Sequence, residues 1–309
     1  MTSKALIEKL IELDKSDFEI MPRIIHIETR SRCNGTCSFC PASALTDARS
    51  DELMEIDLFI KIINELSLIG YSNRLSIYNN NEPFLDKRIN HLINIARDLL
   101  PKAYLELKTN GTLINIQKVL LAFNSGLDRL YINDYVDMSK TKKHSKNIIT
   151  LKNELEKIRR FGKNIKDSND FDRVTIQIRD KGAILGSRAG NSPNKQIKVN
   201  PKKASPCIRP CEMMTINPQG DVSVCSEDYD CRIKMGNLYE NSLMEIWKSK
   251  KWGILRNELL KGNRSINKTC SKCDYHGNSN EILEEYGFTN SIPIFKRIIN
   301  KAIKLINKP

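Results

Sequence analysis

Long apolar runs are missing from this chain. No stretch approaches the roughly 20 residues of a membrane-spanning helix. The N-terminal MTSKALIEKLIELDKSD is charged and amphipathic where a secretory signal would carry an apolar segment. These absences argue against a transmembrane segment and a secreted product, and the expected location is cytoplasmic. Acidic residues are outnumbered, 37 Asp and Glu against 50 Lys and Arg, so the formal net charge is +13. Such a surface favours acidic partners (phosphorylated substrates, acidic peptides, nucleic acid or an anionic membrane), or is simply a lysine-rich solubilising surface. Aromatics are scarce at 6%, while Ile, Leu, Lys and Asn are plentiful. Internal repeats and long low-complexity tracts are absent too, which leaves one large or two modest globular domains in 309 residues. What the chain does have is cysteine, nine in all. With a cytoplasmic location expected, a disulfide scaffold is not, and grouped cysteines point to metal.

Apolar periodicity alternates between strand and helix about every 30 residues. Strands are expected at 23–28, 74–79, 103–108, 127–133 and 172–179, with helices at 56–70, 87–100, 114–126 and 146–162 between them. That order predicts β/α units with parallel strands and right-handed crossovers. The fold class expected is α/β, a partial (β/α) TIM-like barrel of five to six parallel strands with a small C-terminal α+β domain. In such barrels the chemistry sits at the C-terminal ends of the strands. The loops holding Cys33–Cys40, Asn80–Pro83, Thr109–Gly111 and Asp134 all follow strand ends and should meet at one mouth. The expected organisation is an N-terminal helix within 1–20, a barrel over 21–180, a basic linker or active-site loop over 181–206, a cysteine-bearing domain over 207–278, and an amphipathic helical segment over 279–309.

Cys33, Cys37 and Cys40 read C-x3-C-x2-C directly after the first strand. Three thiolates on one short loop can hold three irons of a [4Fe–4S] cube and leave the fourth open to a non-protein ligand. Structural zinc is the competing reading, with His26 or a distant cysteine as fourth ligand. The spacing and position resemble the radical SAM superfamily. Phe39, just before the last cysteine, matches the aromatic that lies against the cofactor's adenine there. Asn81-Glu82-Pro83-Phe84-Leu85 resembles the family's G-E-P-L-L element, with Asn81 in place of glycine, and Thr109-Asn110-Gly111 matches a turn at the barrel mouth. The resemblance implies that Phe39, Asn81, Glu82, Pro83 and Asn110 bind S-adenosyl-L-methionine. It also implies cleavage of that cofactor, after one-electron reduction by a flavodoxin or ferredoxin-type donor, to a 5′-deoxyadenosyl radical.

A second cysteine set spans CIRPCEMMTINPQGDVSVC (207–225) and CSKC (270–273), and a hairpin is expected around Gly220. With Gly236-Asn237 and Ile246-Trp247 between the pairs, the layout resembles the SPASM iron–sulfur domain in its shortened, twitch form. The resemblance implies a second [4Fe–4S] cluster on Cys207, Cys225, Cys270 and Cys273. Cys211 could replace Cys207, Cys231 is expected to be free, and a zinc ribbon is the alternative for the set.

An auxiliary cluster beside a substrate radical suggests net oxidation. The arrangement resembles the superfamily's small dehydrogenases acting on 2-deoxy-scyllo-inosamine, so a sugar or cyclitol alcohol is the expected small-molecule substrate. The second reading is a maturase acting on a precursor peptide. The roughly twenty residues before the first strand leave no room for a peptide-recognition domain. The third is RNA modification, supported by charge alone. A non-enzymatic electron carrier or metal-stabilised binding module is the contrasting class. Tyr78, Tyr131, Asp134, Arg179 and Arg188 are the positional candidates for catalysis.

Overall fold

The computed structural model describes residues 21–161, 173–194 and 206–275. The expected N-terminal and C-terminal helices, and residues 195–205 of the expected basic linker 181–206, lie outside them. The elements in chain order are β1 (Ile24–Ile27), α1 (Ile56–Leu68), β2 (Arg74–Ser76), α2 (Ile89–Leu99), β3 (Tyr104–Thr109), α3 (Ile116–Asn124), β4 (Arg129–Val136), α4 (Lys146–Phe161) and β5 (Val174–Asp180). They continue through α5 (Arg209–Glu212), β6 (Met213–Ile216), β7 (Asp221–Ser223), β8 (Gly236–Asn237), α6 (Leu243–Trp247) and α7 (Lys250–Leu260). The strand–helix alternation read from the sequence is the alternation observed. β4 runs three residues further than expected, because its end pairs with β5 as far as Val136 opposite Asp180.

All eight strands form one sheet, in the order β5-β4-β3-β2-β1-β6-β7-β8. The first five are parallel to their neighbours. β6 follows the second cysteine set's first members, yet it lies parallel against β1, Ile24 opposite Met213 through Ile27 opposite Ile216. The sixth parallel strand is therefore supplied from beyond the linker. β7 and β8 then run antiparallel, and Gly220 turns the β6–β7 hairpin with φ +78°. Among the described residues the sheet stays open, with β5 and β8 at its two ends, as a partial barrel requires.

Strand alternation sorts the side chains onto two faces. Ile25, Ile27, Leu75, Leu105, Leu107, Leu130 and Ile132 enter the apolar core. The helices cover that face with residues at helical spacing: Leu58, Phe59, Ile62, Ile63 and Leu66 on α1, and Ile89, Leu92, Ile93 and Ala96 on α2. The opposite face is polar although it is buried. A row crosses the sheet from Thr215 through His26, Ser76 and Glu106 to Arg129. Glu106, wholly buried, accepts hydrogen bonds from Ser76 Oγ (3.0 Å), the Tyr78 hydroxyl (2.8 Å) and the Arg74 guanidinium. A buried carboxylate persists only when paired and hydrogen-bonded in this way. No helix among the described residues is long and apolar enough to cross a membrane.

Candidate active site

The polar face opens into a cavity of about 230 Å3 at the C-terminal ends of β1–β4. Cys33, Cys37 and Cys40 line it, together with Phe39, Asn81, Glu82 and Asn110. The cysteine loop is closed by backbone hydrogen bonds from Cys40 N to the Cys37 carbonyl (3.2 Å) and from Ala44 N to the Gly35 carbonyl (2.8 Å). Gly35 N donates to Cys33 Sγ at 3.3 Å, and a Cβ at Gly35 would press on that sulfur. Burial pushes the Cys33 thiol up to about 11 and Cys37 up to about 12, with the neighbouring thiols adding repulsion. Thiols so placed ionise readily only against a cation, and metal coordination removes the proton outright.

Glu82 joins two of the mouth loops. Its Oε1 accepts from Thr109 Oγ1 (2.7 Å) and Phe84 N (3.1 Å), and its Oε2 from Asn110 N (2.7 Å). Three donors leave a carboxylate with unused lone-pair capacity, which an ammonium group could take. Burial raises the pKa of Glu82, and these hydrogen bonds oppose the shift. Asn81 accepts from Asn79 N (3.0 Å), while its buried Nδ2 has no partner, an orphan donor on the cavity wall. Phe39 packs against Tyr135 with ring centroids 5.9 Å apart. Gly111 holds φ +76°, and a Cβ there would lie 2.8 Å from Ile148 and 2.9 Å from Ile132. The turn after β3 therefore needs glycine on two counts. Buried thiols, an orphan amide and an aromatic wall fit an iron–sulfur cluster with an organic, partly ionic ligand beside it.

A second cavity is lined by Cys207, Cys225, Cys270 and Cys273. Cys211 is buried on α5 outside that lining, and Cys231 also lies elsewhere, with φ +55°. The four lining thiols lie close enough for charge on one to disfavour charge on another: burial raises Cys225, and Cys270, Cys273 and Cys207 add to it. Burial likewise pushes Cys270 up to about 12 and Cys273 up to about 11. Among the described residues, no three His, Cys, Asp or Glu side chains converge on a point that could hold one metal ion. Thiolates around an iron–sulfur cube each meet a different iron and stand apart.

The two cavities share a wall. Glu227, two residues after Cys225, lines both; Arg188 lines the first and Ala189 the second. Arg188 adopts φ +51° and binds Glu227 (3.3 Å), the Ser226 carbonyl (3.0 Å) and Asn80 Oδ1. Its segment is anchored at both sides: Ser192 Oγ donates to the Phe39 carbonyl (3.1 Å), and Ser187 N donates to Asp274 Oδ1 (2.7 Å).

Of the five positional candidates, Tyr78 and Arg188 reach the first cavity. Tyr131 is half-buried beside Arg129 and Lys108, outside the lining. Asp134 accepts from Ser145 N (2.8 Å) and pairs with His144 (2.9 Å) ahead of α4, and exposed Arg179 donates to Gln177. The cavity adds His26, Lys108, Asn133, Tyr135 and Glu227, none of which sequence reasoning marked for catalysis. Inward alternation along each strand was the signal available for the first four.

The sequence profile of the radical SAM superfamily matches residues 27–176, and that of the SPASM iron–sulfur cluster-binding domain matches residues 207–274. The S-adenosyl-L-methionine-dependent 2-deoxy-scyllo-inosamine dehydrogenase of Niallia circulans is 24% identical over 251 residues, which is 81% of this chain and 92% of that protein. The crystal structure of BtrN in complex with AdoMet and 2-DOIA superimposes with a TM-score of 0.68 at 20% identity, covering 82% of this chain and 94% of BtrN. Native anSMEcpe with bound AdoMet superimposes at 0.52 with 14% identity, over 91% of this chain and 99% of that one. At these identities the superpositions establish the fold. With both profiles matched in order along it, the chain carries a radical SAM domain followed by a SPASM domain, the make-up of a radical SAM enzyme that uses [4Fe–4S] clusters and S-adenosyl-L-methionine.

Proposed function

We propose that this enzyme oxidises an alcohol carbon of a small polyhydroxylated ring, a cyclitol or related sugar, to a ketone. The observation that carries the reading is Glu227, which belongs to the walls of both cysteine-lined cavities. A substrate in the first cavity would then lie on one side of Glu227 and the second cysteine set on the other, a path for one electron. Cys33, Cys37 and Cys40 would hold the first cluster, with Phe39, Asn81, Glu82, Pro83 and Asn110 around S-adenosylmethionine. Cys207, Cys225, Cys270 and Cys273 would hold the second. The chemistry supplied when these groups are bound is hydrogen-atom removal and one-electron transfer.

The protein's own part is to bind, orient and exclude water. Tyr78, Lys108, Asn133, Tyr135 and Arg188 present hydrogen-bonding groups to the cavity, a set suited to a polyol. Residues 183–194, pinned to the cysteine loop and to Asp274, cover it from one side, which favours a small ring over a peptide. The relative of Niallia circulans, named for its action on 2-deoxy-scyllo-inosamine, supports the same substrate class. A flavodoxin or ferredoxin-type protein would deliver the reducing electron.

The test is anaerobic reconstitution, reduction, and incubation with S-adenosylmethionine and 2-deoxy-scyllo-inosamine or other cyclitols, following 5′-deoxyadenosine and ketone by mass spectrometry. The expected result is about one ketone per deoxyadenosine, with deuterium from the oxidised carbon carried into the nucleoside. Modification of a precursor peptide with every cyclitol left untouched would overturn the substrate class and favour a maturase.

A further inference from the structure

His26 stands on β1 between Ser76 of β2 and Thr215 of β6. Both neighbouring hydroxyls are committed elsewhere: Ser76 Oγ donates to Glu106 at 3.0 Å, and Thr215 Oγ1 donates to the Ser223 carbonyl at 3.3 Å. The imidazole makes one hydrogen bond, between Nδ1 and the Tyr78 carbonyl at 3.1 Å, with the Tyr78 ring packed edge-on at a centroid distance of 5.5 Å. A carbonyl oxygen can only accept, so Nδ1 carries the hydrogen and Nε2 keeps a bare lone pair. The side chain is 2% exposed, Nε2 has no partner among the described residues, and the residue lines the first cavity.

A buried acceptor without a donor costs stability and calls for an explanation. Protonation does not relieve it. Burial holds the pKa of His26 well below its ordinary value, the charges of Arg74, Lys108 and Arg209 push the same way, and the bond to Tyr78 only partly opposes them. Among the described residues no donor reaches Nε2, and a ligand filling the cavity that His26 lines is the source its place in the fold favours.

We propose that Nε2 of His26 accepts the hydrogen bond of the substrate hydroxyl on the carbon being oxidised, and takes its proton. The assignment rests on the dehydrogenase reading. In that reaction the C–H hydrogen leaves as an atom, ending in 5′-deoxyadenosine. The O–H bond then breaks and an Nε2–H bond forms, giving imidazolium. The remaining electron passes to a one-electron acceptor of the iron–sulfur class, and the C=O double bond is complete. Loss of the hydrogen atom makes the remaining hydroxyl more acidic, and departure of the electron makes it acidic enough for a neutral imidazole to take the proton. The imidazolium, crowded by Arg74, Lys108 and Arg209, gives its proton up once the ketone leaves.

The test compares wild type, His26→Gln and His26→Asn in the reconstituted enzyme with 2-deoxy-scyllo-inosamine, iron content reporting that each variant folds. Glutamine keeps an acceptor atom but cannot take a proton. The expected result is cyclitol binding to the unreduced enzyme within about threefold of wild type, and ketone yield per deoxyadenosine reduced at least tenfold. Ketone yield within about threefold of wild type in His26→Gln would overturn the proposal. If the wild type forms deoxyadenosine but oxidises no cyclitol, the dehydrogenase reading itself fails. A separate measurement judges His26 in every case, including loss of iron in both variants. In 15N spectra of the unreduced wild-type enzyme labelled in its four histidines, assigned by substituting the other three, Nε2 should stay unprotonated throughout the neutral pH range. A hydrogen on Nε2 there overturns the assignment whatever the substrate.

Discussion

The two cysteine sets are gathered in opposite ways. Cys33, Cys37 and Cys40 sit within eight residues, on a loop whose own backbone hydrogen bonds hold it and whose position is fixed by one strand end. Cys207, Cys225, Cys270 and Cys273 come from segments scattered over 67 residues. They are brought together by tertiary packing: Cys207, Cys270, Val222 and Val224 share one apolar core with the tilted pair Trp247–Trp252, 4.9 Å between centroids. The Trp252 indole also donates to the Pro210 carbonyl at 2.8 Å, tying α7 to α5. The first site is thus mainly a property of local sequence, and the second a property of packing. Cluster loading should be coupled to folding weakly in the first case and strongly in the second.

Substitutions can break that contrast. The largest effect is expected from Cys37→Ser, which should abolish deoxyadenosine formation and remove about half of roughly eight bound irons while leaving the fold's thermal transition nearly in place. Cys225→Ser should remove a similar share of iron, yet lower ketone yield far more than deoxyadenosine yield and depress the thermal transition. Equal stability losses in the two variants would refute the contrast. Trp247→Ala, with no cysteine touched, should destabilise by about 3–5 kcal/mol in chemical denaturation and cost iron from the second site first. Gly111→Ala should cost about 1–3 kcal/mol and raise the KM for S-adenosylmethionine, because the turn carrying Asn110 must move away from Ile132 and Ile148.

The last effect, spread over a pH range and absent at any single pH above it, is a pH dependence at the junction of the two regions. Burial raises Glu212, at the end of α5, from 4.5 to about 7, against the pull of Arg23 and Arg209. The folded state then holds this proton more tightly than the unfolded chain. The stability it contributes is present below about pH 4.5 and is lost as pH rises through about 7, up to about 3 kcal/mol. Glu212→Gln should flatten that part of the stability profile in anaerobic thermal denaturation. An unchanged slope would show that another group titrates there.

Arg49 shows how the regions are joined. It donates to Glu28 at the end of β1 (3.0 Å), to Asp47 (2.9 Å), to the Asn80 carbonyl (2.9 Å) and to the Tyr229 carbonyl beyond Cys225 (3.2 Å). Nothing in RSDELM announces this. Likewise His26 reads in sequence as a spare zinc ligand and Glu227 as an unremarked acid. Each gains its place only when strands distant in the chain lie side by side.

The sequence by itself determined what depends on neighbours a few residues away: the strand–helix alternation, the C-x3-C-x2-C loop after β1, the glycine turn at Gly111 and the hairpin at Gly220. Those follow from backbone periodicity and allowed φ, which are local. Tertiary structure alone decided that β6 completes the parallel strands against β1 and that Glu227 separates two cysteine-lined cavities. It also decided that the face holding His26 is buried yet polar. These features depend on which strand edges pair and in what register, a choice made by hydrogen bonds and apolar burial summed over the whole sheet.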